Sequence, residues 1–202
     1  RLAQELGRRF LTPVLQVDDL RLSAQALTTA ESHPERHRFL GEGASESFRS
    51  PEKAVESWIA VAESIEPAVR AVMSHHISVH DSGRIIIEGD GLLPRVGSVD
   101  YLKQVDRWFD RVQSDEIKSV YIVEHDSEKL LANIFGRNRG GIDGESDSAY
   151  RSIFTKDSFQ FGKKLEQDAG ELNIPVVSAS PFESLMDRVV DWLDGGVESC
   201  SG

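Results

Sequence analysis

The chain has one cysteine, Cys200, so no internal disulfide can close, and its thiol usage fits a reducing compartment such as the cytoplasm. No apolar run approaches the ~18 residues of a membrane-spanning helix, and no secretory leader pattern is visible. Positive charge is scarce: 23 Lys and Arg stand against 34 Asp and Glu, a formal net charge of −11. That balance argues against a nucleic-acid backbone as the main partner, because neutralising phosphates takes a surplus of bases. It leaves room for a phosphorylated small molecule, which needs only a local cluster of arginines. The phosphate-cradling pattern G-x-x-x-x-G-K-[ST] is also missing from all 202 residues. No internal repeat is present.

What the chain does have is an ordinary globular composition, 39% hydrophobic and 28% charged. The length suits one well-cored domain, expected over residues 1–194, with a small polar tail at 195–202. The stretch around which the rest is organised is Arg84-Ile85-Ile86-Ile87-Glu88-Gly89-Asp90-Gly91. Three β-branched residues without alternation predict a strand covered on both faces, as in a parallel α/β sheet. Two carboxylates and two glycines follow at its carboxyl end, the edge where such sheets bind ligands.

Further strands are expected at 13–17, 119–123 and 174–178, alternating with helices. Leu2, Leu6 and Phe10 give a first helical face, and residues 20–27 a short second helix. Ser50 as N-cap and Pro51 at the first helical position open the longest helix, whose pattern runs through Val55, Ile59, Ile65, Val69 and Val72. Pro67 falls inside it and predicts a kink or break near Glu66. Helices are also expected from residue 99 through Val112, at 127–135, at 152–172 and at 182–193. Trp58, Trp108 and Trp192 fall on apolar stripes and read as core. The alternation predicts an α/β fold, a three-layer parallel sheet.

In such a sheet the strand ends share one edge, which collects Asp18 and Asp19, Glu88 and Asp90, Glu124 to Asp126, and Ser178 to Ser180. Carboxylates there can hold a magnesium ion through water or take a proton from an attacking hydroxyl. Each acid alone reads equally as a helix cap, the better reading for Asp126 and Ser180, whereas Asp18-Asp19 exceeds what one cap requires. Arg137 and Arg139, one residue apart among glycines, suit a polyphosphate, which two guanidiniums grip bidentately. His75-His76 lack a third ligand at metal-site spacing.

Three stretches, 14–21, 85–94 and 130–140, resemble P-loop kinases, and within them the 2-phosphoglycerate-kinase-like group of small-molecule phosphotransferases. The resemblance extends from residue 1 to about residue 193. It implies a P-loop-kinase sheet and an ATP- and Mg²⁺-dependent transfer of phosphate to a small hydroxylated or phosphorylated acceptor. By resemblance, Asp18 or Asp19 binds or deprotonates the acceptor, and Glu88 lies near Mg²⁺ and the γ-phosphate. Arg21, Asp90 and Arg95 then contact the acceptor. Arg137 and Arg139 belong to a lid over 136–148 that clamps phosphates, while Ser178 and Pro181 border the adenine. Residues 1–6 resemble the helix that follows the phosphate loop in that family. The expectation is therefore a chain starting a few residues late, without the central strand that would lie between 85–87 and 120–123. Other expectations are a catalytically inactive kinase-like binding module, or an NTP hydrolase. The acceptor's identity and the oligomeric state are not written in the sequence.

Overall fold

The computed structural model describes residues 2–39, 50–78, 84–136 and 148–195. Arg1, Arg137 and Arg139, most of the expected lid, the turn at 81–83 and the tail from 196 lie outside the described residues. Helix α1 (Leu2–Phe10) is followed by strand β1 (Val14–Gln16), helix α2 (Val17–Ala26) and a 3-10 turn (Pro34–His37). Helix α3 (Pro51–Ser78) leads to β2 (Ile86–Glu88), a 3-10 turn (Pro94–Gly97), α4 (Val99–Val105) and another turn (Arg107–Phe109). Then come β3 (Tyr121–Val123), α5 (Ser127–Gly136), α6 (Ser148–Glu171), β4 (Val176–Ser178), a turn (Phe182–Ser184) and α7 (Leu185–Leu193).

The expected three-layer sheet of P-loop-kinase type is not what forms. The described residues are mostly helical, and their strands make two separate two-stranded parallel sheets, β1–β2 and β3–β4. Each strand is three residues long, too short for more than a few ladder bonds. Val14 faces Ile86 and Gln16 faces Glu88 in one pair; Tyr121 faces Val176 and Val123 faces Ser178 in the other. The break falls between β2 and β3, which are not bonded to each other.

The sheets nonetheless share packing. Leu6 of α1 with Leu185, Val189 and Val190 of α7 form a buried cluster, against which Ile86, Val120 and Val177 pack. On the other side of β1–β2, Val17, Ile65, Val69 and Val96 form a second cluster that takes Ile87 and Leu92. Ile86 and Ile87 thus point to opposite faces, and each face meets a cluster, as the unalternating isoleucines require. A third cluster, Leu102, Phe109 and Val112, closes the far end of α3. Near-complete burial of such side chains stabilises the chain by about 1.5–3 kcal/mol apiece.

Two local expectations change. Helix α3 continues through Pro67 for 28 residues instead of breaking. Packing holds it: Ile65, Glu66 and Val69 on either side of the proline are all buried, and the proline's lost hydrogen bond is outweighed there. Ser50 caps it as expected, its hydroxyl accepting from the Lys53 amide at 3.3 Å. The helix from residue 99, by contrast, stops at Val105. Asp106 turns extended and its carboxylate accepts from the Trp108 amide at 3.1 Å. The restart sends Phe109 inward, fully buried, and leaves Trp108 61% exposed instead of in the core.

Candidate functional site

Parallel pairing brings the carboxyl ends of β1 and β2 side by side, and the polar residues that follow them meet in one cleft. Helix α2 begins directly after β1, so Asp18 and Asp19 occupy its first turn, where the helix dipole favours negative charge. Asp18 pairs with Arg21 one turn later at 3.1 Å. After β2 the chain crosses over Val17, and this crossing accounts for the glycines. A Cβ at Gly89, where φ is +153°, would lie 2.9 Å from the Val17 Cβ, and one at Gly91 3.2 Å from a Val17 methyl. With both glycines hugging Val17, Asp90 is placed beside Asp18 and Arg21.

These three line a narrow cleft whose apolar wall is Trp58, Val61 and Ile65 of α3. Its free space amounts to about one water molecule, so a metabolite enters only if the walls part. Asp90 keeps contact with solvent at the cleft mouth. Its pKa is nonetheless raised, first by partial desolvation among its neighbours and then by the Asp18 charge, with the Arg21 guanidinium opposing. The Arg21 Nε–H is buried and has no hydrogen-bond partner among the described residues. The cleft therefore combines an acid whose pKa is raised, an ion-paired carboxylate and, among the described residues, a guanidinium with an unsatisfied donor.

Other expected site residues lie elsewhere. Asp19 is exposed, and its carbonyl accepts from the Ser23 hydroxyl. Glu88 ends β2 opposite Gln16, half-buried, and it does not line the cleft. Arg95 is not directed at the cleft. It donates to Glu66 at 2.8 Å and to Glu63 at 3.1 Å. Glu66 is itself buried and also accepts from the Tyr101 hydroxyl at 2.6 Å, with Arg70 at 3.5 Å. This network ties α3 to α4 and uses the donors of Arg95 for structure.

At the ends of β3 and β4 the groups satisfy one another. The Ser180 hydroxyl donates to Glu124 at 2.6 Å, and the Ser178 hydroxyl accepts from the Ser180 amide. Arg188 of α7 donates to the carbonyls of Ser178 at 2.6 Å and Pro181 at 2.9 Å. Asp126 caps α5 as expected, accepting from the Glu128 and Lys129 amides, whereas Ser180 is bound to Glu124 instead of capping. His125 meets Glu166 at 2.9 Å.

The fit to ATP and Mg²⁺ is uneven. Glu88 and Asp90 are hard oxygen donors near one strand end, which suits a magnesium ion that keeps most of its waters. Among the described residues no three His, Cys, Asp or Glu side chains converge into a metal cage. Arg188 donates to the carbonyls of Ser178 and Pro181, so a bound base there would share them with its guanidinium. Spacing alone places Trp58 in the core, and in the structure it also forms part of the cleft wall. A signal was present: it lies two turns before Ile65 on the same helix face.

No protein-family model, no curated protein and no solved structure matches the chain. The functional reading therefore stands on the cleft itself. Among the described residues no helix is long and apolar enough to cross a membrane.

Proposed function

We propose that the cleft beside β1 and β2 binds a small hydroxylated, anionic metabolite and serves as the acceptor site of an ATP- and Mg²⁺-dependent phosphotransferase. The observation that carries this reading is the meeting of Asp18, Arg21 and Asp90 at one lip of an apolar cleft. The Arg21 guanidinium, with its unsatisfied Nε–H, supplies charge-assisted donors for a carboxylate or phosphate on the metabolite. Asp18, mostly exposed at the cleft lip, is the group placed to take a proton from the acceptor hydroxyl. Asp90 lies beside them at the cleft mouth and can accept from a hydroxyl of the same molecule. The nucleotide, when bound, supplies the phosphoryl group. Glu88 is assigned to its metal, and Arg137 and Arg139 to its phosphates, by resemblance alone.

Low base content favours a small molecule over nucleic acid as partner. The single cysteine goes with a cytoplasmic setting. The test is a panel of small hydroxy acids and their phosphate esters, titrated by calorimetry and assayed for acceptor-stimulated ADP release. Binding should weaken by roughly tenfold or more in Arg21→Met, the scale of one charge-assisted contact. Binding without ADP release would favour a non-catalytic binding module, and no binding by any anionic hydroxy compound would sink the reading.

A further inference from the structure

Behind the apolar wall of the cleft lies an acid that the proposed function does not use. Asp157 of α6 is fully covered, with 0% exposure, and among the described residues neither carboxyl oxygen has a hydrogen-bond partner. It lies on α6, which packs along α3, near enough to Glu52 of α3 to feel its charge. One turn further along α6, Phe161 meets Trp58 of α3 with ring centroids 5.2 Å apart. Trp58 in turn forms part of the cleft wall. The seam that buries Asp157 is therefore the seam that seats the wall.

An ionised carboxylate without a partner is far costlier to bury than a neutral acid. Desolvation raises the pKa of Asp157, and the like charge of Glu52 on α3 raises it further. Among the described residues no cation is a cause that offsets these effects. On α3, Lys53 is engaged with Glu56 at 2.6 Å. On α6 itself, Lys156 is exposed, Lys163 lies over the Phe159 ring and Lys164 pairs with Asp168. The other elements packed on α6 are α5, β3, β4 and the turn at 94–97. Their charged groups are Glu128, Lys129 and Arg95; Lys129 pairs with Asp126, and Arg95 with Glu63 and Glu66.

We propose that Asp157 is a proton-operated latch on the cleft wall: neutral, it lets α3 and α6 close and holds Trp58 against Phe161; ionised, it parts the seam and frees Trp58. The proton leaves to solvent as the seam opens. This latch acts on the cleft whatever ligand occupies it, so it stands or falls independently of the phosphotransferase reading.

The test uses the full chain with Trp108→Phe and Trp192→Phe, which leaves Trp58 as the only indole of three. Its emission is followed from about pH 4 to about pH 9, starting near the ordinary Asp range. A red shift with one midpoint above that range is expected. Asp157→Asn should hold the closed-state emission throughout, and Glu52→Gln should move the midpoint lower. Asp90→Asn should leave the transition in place. If the Asp157→Asn chain titrates like its parent, or if Asp90→Asn abolishes the transition, the latch is refuted. Hydrogen exchange of α3 and α6 in the unsubstituted protein, corrected for intrinsic rates, gives a readout free of variants. Protection there should fall by about tenfold or more across the same pH window, and constant protection refutes the proposal equally.

Discussion

The two short sheets are built alike, each a parallel pair of three-residue strands with polar residues at the carboxyl ends. They differ in what those residues do with their hydrogen-bonding capacity. Beyond β3 and β4, Ser178, Ser180, Glu124 and Arg188 consume one another's donors and acceptors. Beyond β1 and β2, Arg21 keeps a buried N–H unsatisfied among the described residues, and the pKa of Asp90 is raised by desolvation and by a second carboxylate. A satisfied cluster holds the chain together; an unsatisfied one is held in place by the chain and is free to bind something else. Position at a strand end is therefore not enough to mark a site, and the unused capacity is the discriminating feature.

Substitutions on the two sides should accordingly move different observables. The largest effect is expected from Asp18→Asn. In the protein active toward its acceptor, turnover should fall by about 100-fold or more, the scale of losing a general base. Melting temperature should barely change, since the lost Asp18–Arg21 pair is mostly exposed. Unchanged turnover would return Asp18 to the role of a helix-end acid. On the satisfied side, Arg188→Ala removes two carbonyl contacts. Chemical denaturation should show a loss of about 1–3 kcal/mol with ligand affinity intact. A weaker ligand with unchanged stability would reverse the contrast between the sheets.

The smallest effect concerns Asp90. Its folded pKa is raised, so its contribution to stability is fully present below the unfolded value of about 3.9 and is lost as pH rises through the folded value. Asp90→Asn should therefore raise the melting temperature slightly at neutral pH and leave it unchanged near pH 3. Because Asp90 keeps contact with solvent, the gain is small. A stabilisation of equal size at both pH values would show that its charge is not the cause.

Much of the local structure was legible because it depends on neighbours in sequence. The Ser50 cap, the α3 stripe, the Asp126 cap and the two-faced isoleucine strand all follow from spacing of three, four or one. The nearness of Asp18 and Asp90 also follows once β1 and β2 are taken as parallel, whereas Arg21 enters the sequence reading only through the family resemblance. What spacing could not carry was competition between distant groups. Arg95 reads as a free cation until Glu63 and Glu66 are known to lie on the helix beside it. Trp108 fits an apolar stripe until Asp106 interrupts the helix and rotates it outward. The sheet was overestimated for a related reason. Apolar runs set where strands can begin, but ladder bonds decide where they extend and which pairs join, and those bonds are not encoded in any one run.

The break between β2 and β3 bears on how the protein behaves in bulk. Each of these strands has one bonded neighbour among the described residues, and Ile122 at the centre of β3 is 42% exposed. Unpaired strand edges are adhesive toward other chains, and the formal charge of −11 is what keeps copies apart. Added salt shortens the reach of that repulsion to about 3 Å at 1 M while leaving the edges as sticky as before. Concentrated, salty solutions are thus the setting in which this chain is most exposed to self-association, and dilution at low ionic strength is the setting that protects it.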